Sequence, residues 1–75
     1  MLQLFPNPTS GLVTINSAVL IKNLSVLDNS GRMLLVKEVD ALNYTLDLKQ
    51  LKEGFYFIRI ETTEGKLVRK ISVIK

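Results

Sequence analysis

Seventy-five residues allow one small domain, since typical domains run to about 100–150, and a chain this short folds alone with a narrow margin. Ten Lys and Arg against seven Asp and Glu leave a net charge of +3, and 47% of the residues are hydrophobic, which excludes the composition of a disordered chain. The absence of Cys and His excludes disulfides, thiolate nucleophiles and imidazole bases or metal ligands, but leaves the compartment open.

The longest purely apolar runs are residues 18–21, 33–36 and 55–58, far short of the roughly 20 residues that a membrane-spanning helix needs, so no membrane insertion is expected. No basic stretch and apolar core of a secretory leader follow Met1. The targeting peptide of an exported protein is therefore expected outside this stretch.

In chain order, Leu2-Gln3-Leu4-Phe5 is a short extended segment, closed by the stiff turn Pro6-Asn7-Pro8-Thr9-Ser10-Gly11. Each proline fixes its own φ and lacks an N–H, so this turn has no place in a central strand. Residues 12–15 resume the sheet. Residues 23–27 form a strand with Leu24 and Val26 on one face, Asp28-Asn29-Ser30-Gly31 is a dense turn signal, and residues 32–39 return as its partner, with Leu34 and Val36 alternating. Residues 43–48 form another strand. Residues 47–54 hold the one helical option, with Asp47 as cap, Leu48 and Leu51 three apart and Gly54 as stop; at this length a single turn is the most expected.

Residues 54–62 alternate with period two, Tyr56, Ile58 and Ile60 forming one set. Thr63-Glu64-Gly65-Lys66 supplies a turn, and residues 67–75 return with Ile71 and Val73 on one face, completing an antiparallel hairpin. Six or seven short strands, with turn signals every 8–12 residues or so, indicate an all-β antiparallel sandwich or barrel.

No catalytic arrangement is expected. A Ser72–Lys70 pair lies two residues apart on a strand, about 7 Å, which is no hydrogen bond. Glu61 and Glu64 flank a turn as exposed carboxylates, in a domain too small for a walled glycosidase pocket. Gly11, Gly31, Gly54 and Gly65 stand alone and make no phosphate loop, and no calcium-loop spacing occurs. No cofactor or metal is implied. Phe55, Phe57 and Arg59 share a strand face, as a single-strand nucleic-acid platform requires. Against that, the charge is mild, and Phe55 and Phe57 are expected as core on the second face of a central strand. Nucleic acid is therefore not expected as a partner.

Leu4-Phe5-Pro6-Asn7-Pro8-Thr9-Ser10-Gly11 strongly resembles the opening of the type IX (Por) secretion system C-terminal sorting domain, type A, a family of Bacteroidetes. Val26-Leu27-Asp28-Asn29-Ser30-Gly31-Arg32 resembles the family's hydrophobic–Asp–x–x–Gly–basic hairpin, though the family often has an aromatic at Leu27. Leu46-Asp47-Leu48 through Leu51, with Gly54-Phe55-Tyr56, resembles its leucine and Gly-x-Tyr block. Lys70-Ile71-Ser72-Val73-Ile74-Lys75 is similar to its terminal strand.

The resemblance implies an immunoglobulin-like β-sandwich that works by being recognised and is not an enzyme. Residues 1–75 would be one C-terminal sorting domain excised from a larger exported protein. An outer-membrane translocon would read it and pass the amino-terminal cargo outward. A sortase-like peptidase would cut upstream of Leu2, with release or surface attachment of the cargo after periplasmic transit. Pro6, Asn7, Pro8, Gly11, Asp28, Gly31, Gly54 and Tyr56 are candidates for recognition, although turn shaping and core packing account for each as well. Lys70 and Lys75 lie on a terminal strand expected to have unpaired backbone groups, an edge that a partner's strand extends. The alternative function is an immunoglobulin-like accessory module of a surface enzyme or adhesin, binding carbohydrate or protein.

Overall fold

The computed structural model describes residues 2–75. Five strands follow one another as β1 (Leu2–Phe5), β2 (Leu12–Leu27), β3 (Met33–Asp47), β4 (Gly54–Thr62) and β5 (Gly65–Val73), all antiparallel to their neighbours. The count is below six or seven because two pairs of expected strands run on into each other. Residues 12–15 and 23–27 are the two ends of β2, and residues 32–39 and 43–48 correspond to the two ends of β3.

The long strands bend where they fuse. Between the pairs Asn16↔Asn43 and Ile21↔Ala41, β2 carries four residues against one on β3, and extra residues bend and twist a strand. Ser17 tightens the bend, its Oγ accepting from Val19 N–H at 3.1 Å and donating to Val19 C=O at 2.6 Å. On β3 the bend falls at Asp40, whose φ is +51°.

Each long strand thus serves two layers. The first half of β2 lies between β1 and the end of β3; its second half lies between the start of β3 and β4, with β5 beyond. The inward sets of both layers, Val13, Ile15 and Leu46 from one and Leu24, Val26, Tyr56, Ile58, Ile60, Ile71 and Val73 from the other, form one buried cluster. This is a small sandwich, and the period-two sets read at Leu24/Val26, at Tyr56/Ile58/Ile60 and at Ile71/Val73 are its core.

Residues 47–54 make no more than the single turn expected there, with Leu51 N–H donating to Leu48 C=O at 3.0 Å, and no helix occurs among the described residues. Two expectations are corrected. On β3, a register shift at Met33 and Leu34 turns Leu35 and Val39 toward the core and leaves Val36 exposed, the reverse of the expected set. Phe55 is 53% exposed and Phe57 is half-buried on the outer face of β4, so neither is core: among the described residues no further strand covers that face.

Candidate functional site

The register gives the sandwich two unlike ends. At one lie Leu2, the Ser17 bend and the Thr63–Glu64 turn, grouped around a depression of about 190 Å³ lined in part by Leu2, Val19, Thr62 and Lys66. At the other lie the turns holding Pro6 to Gly11, Asp28 to Gly31 and Leu48 to Glu53, together with Lys75. All four stretches that carry the sequence resemblance converge on this second end, away from the chain's first described residue.

Asn7 and Thr9 organise it. The Asn7 amide donates from Nδ2 to Lys70 C=O at 3.1 Å, and its Oδ1 accepts from Ser72 N–H at 3.0 Å. Thr9 N–H donates to Ser72 C=O, and Ile74 N–H donates to Thr9 C=O, both at 2.9 Å. The proline-bounded turn thereby acts as a short parallel strand alongside β5, with one side chain imitating backbone. The outer edge of residues 70–74 is therefore already bonded, which corrects the free-edge premise for Lys70 and Lys75. Prolines 6 and 8 flank the amide that bonds the edge, so the stiffness read from sequence has this consequence.

Thr9 was not singled out from sequence, yet it is almost fully buried. Its Oγ1 donates to Leu12 C=O at 2.6 Å and accepts from Gly11 N–H at 3.0 Å. The Thr-x-Gly spacing carries that signal, because a hydroxyl bonding two residues ahead makes a local turn. Gly11 C=O accepts from Leu48 N–H at 2.7 Å, and a Cβ on Gly11 would come within 2.6 Å of Lys49 Cγ. Close approach of two turns, more than turn shape alone, explains glycine there.

Asp28 is a turn organiser. Its Oδ1 accepts from Ser30 N–H (2.9 Å), Ser30 Oγ (2.7 Å) and Arg32 N–H (2.9 Å), and Oδ2 meets Arg32 Nε at 3.1 Å. The Ser30 hydroxyl, then the Arg32 amide, favour the charged carboxylate and lower its pKa to about 2. Gly31, at φ +89°, supplies the left-handed backbone of this turn.

Gly54 opens β4 opposite Val73. Tyr56 is buried in the core, and its hydroxyl donates to Lys52 C=O at 2.6 Å, tying the 48–53 turn to β4. Lys75 Nζ donates to Lys49 C=O at 2.9 Å, and Lys75 N–H donates to Glu53 Oε1 at 3.2 Å. An open hollow of about 400 Å³ beside Pro6, Gly11, Leu12 and Lys49 completes this end. Lys49 is its one ionisable lining residue, and among the described residues no three His, Cys, Asp or Glu side chains converge as metal ligands. The arrangement holds shape and presents a surface.

Among the comparisons with known proteins, the family model described as the secretion system C-terminal sorting domain matches residues 3–75. No curated protein matches the chain.

Proposed function

The chain belongs to the secretion system C-terminal sorting domains, and we propose that it is the address module of one exported protein, read as a folded object. The family is one of type IX sorting signals and not of enzymes. Membership carries with it the type IX machinery as partner, a cargo on the amino-terminal side, and a destination at the cell surface or outside the cell.

In this reading residues 1–75 are a single sorting domain cut from a larger protein. The fusion crosses the periplasm, and the outer-membrane translocon engages the domain. A sortase-like peptidase then cleaves ahead of Leu2, and the cargo is released or fixed to the surface. The family match across residues 3–75 carries the reading. The two-ended architecture supports it, because the chain enters at the end opposite the turns that Asn7, Thr9, Asp28 and Tyr56 build. A cargo joined ahead of Leu2 leaves those turns open to a partner.

Fusing residues 2–75 to the carboxyl end of a periplasmic reporter, in a bacterium that has the type IX system, tests this. Export of the reporter is expected, and its retention in the periplasm would overturn the reading. Lys70→Ala with Lys75→Ala is the cleaner probe of the terminal strand. Deleting residues 70–75 would also strip Ile71 and Val73 from the core.

A further inference from the structure

The two outer faces of the sandwich differ in kind. The register aligns Val36, Ser25, Arg59 and Val68 in one row across β3, β2, β4 and β5, then Met33, Leu27, Phe57 and Lys70 in the next, with Phe55 and Ser72 beyond. Val36, Met33, Phe55 and Val68 are each at least half exposed. The Lys70 ammonium stands 4.5 Å from the centre of the Phe55 ring. Among the described residues, the one ion pair within 4.0 Å joins Arg32 to Asp28. Arg59 and Lys70 therefore have no carboxylate partner. Glu38 and Glu61 lie in the neighbouring row with Asn23 and Lys66, at the far end from Phe55, and Glu61 accepts from the Asn23 amide at 3.1 Å.

We propose that this face, centred on Phe57 and carrying Val36, Phe55, Val68, Arg59 and Lys70, is the surface through which the translocon grips the domain, and that it docks on a protein surface whose apolar side chains are rimmed by Asp or Glu. The inference rests on the sorting reading and adds the face and the chemistry of its partner. Two unpaired cations set among apolar side chains call for an acidic rim, and such charges steer encounter and set orientation. Exposed apolar side chains massed on one face mark an interaction site. The other exposed large apolars lie elsewhere: Phe5 and Leu12 on the opposite layer, Leu20 and Leu42 at the bends, Leu34 at the register shift near the start of β3, Ile74 past the last strand.

Other occupants fit less well. Four strands by three rows make a footprint on the order of 300 Å², against about 800 Å² per partner in a standard stable interface. Two copies held by this face alone would therefore part readily, and each would bring Arg59 and Lys70 to a like-charged face. The patch carries two aromatic rings but only two cations, short of the cationic groove that tracks a nucleic-acid backbone. Neither of the two depressions described above is lined by a residue of the patch.

The test uses the reporter fusion with three variants. Arg59→Glu with Lys70→Glu, and separately Phe55→Ser with Val68→Thr, are each expected to cut export at least tenfold. Arg59→Lys with Lys70→Arg keeps the charge and is expected to export within twofold of the parent. Matched changes on the opposite face, Asn43→Glu with Thr45→Glu, are expected to leave export within twofold. Thermal melts of every variant domain are expected to stay near the parent, since all these side chains lie outside the core. Undiminished export by both patch variants would overturn the inference while leaving the sorting reading intact; failure of the parent fusion itself would remove both. A stable dimer in sedimentation, or binding to anionic vesicles or single-stranded oligonucleotide that the charge reversal abolishes, would also overturn it.

Discussion

Seen from outside, the two layers of this sandwich obey the same rule inward and opposite rules outward. Both turn every second residue into one shared core, from Val13 and Ile15 on one side to Ile58 and Ile60 on the other. The outer face of the β1-bearing layer aligns Gln3, Asn16 and Asn43, then Phe5, Thr14 and Thr45, then Leu12 and Asp47, polar but for Phe5 and Leu12. The outer face of the β4-bearing layer carries Phe55, Phe57, Val68, Val36, Arg59 and Lys70. The first layer shows that an outer face of this fold can be polar, so the second layer's exposed apolar groups are not a requirement of folding. They are available for a partner.

The largest test of that contrast sets Ile58→Ala beside Phe55→Ala, substitutions three residues apart on the same strand. Ile58 is fully buried, and truncating a buried isoleucine costs about 2–5 kcal/mol, a large share of the roughly 4–11 kcal/mol expected of a chain this size. Phe55→Ala is expected to cost less than about 1 kcal/mol, because an exposed side chain loses little on truncation. Urea denaturation of the two variants decides. Equal losses would mean that the outer face is structural, and would dissolve the comparison.

An intermediate effect is expected at the bonded edge of β5. Asn7→Ala removes two hydrogen bonds, to Lys70 C=O and from Ser72 N–H, at an exposed site where water replaces them. A loss of about 1 kcal/mol follows, with faster amide exchange at Ser72 while Ile58 stays protected. Exchange unchanged at Ser72 would show that the turn does not seal the edge.

The smallest effect lies at Asp28 and appears only in acid. Its folded pKa, about 2, is below the ordinary aspartate value, so between about pH 4 and pH 2 the unfolded chain binds the extra proton. Stability from this group is complete above the unfolded value and fades as the pH falls toward 2. Asp28→Asn is expected to flatten that part of the acid limb in a pH series of thermal melts and to leave the other outer face untouched. An unaltered limb would remove Asp28 from the account of the turn.

Much of the fold was legible because strand periodicity is local. Leu24 and Val26, Tyr56 and Ile58, and Ile71 and Val73 announce their inward sets by alternation alone. The joining of two pairs of short strands into β2 and β3 was not legible, because the bend at Ser17 depends on which residues of β3 lie opposite it. Phe55 and Phe57 misled for a related reason: an aromatic strand face signals burial only if something packs on it, and pairing partners are not written beside them. Asn7 was recognisable as part of a motif. That its amide would bond residues 70 and 72 could not be read, since they lie more than sixty positions away.

The sequence by itself determined an all-β chain with its turn positions, most of its inward residues and no Cys or His chemistry, since composition and alternation act residue by residue. Its four motif stretches also identified the family. Only the tertiary structure decided that these stretches meet at one end, that the terminal edge is already sealed, and that one outer face is aromatic and cationic while the other is mostly polar. Those properties arise from register and layer packing, which couple residues far apart in the chain.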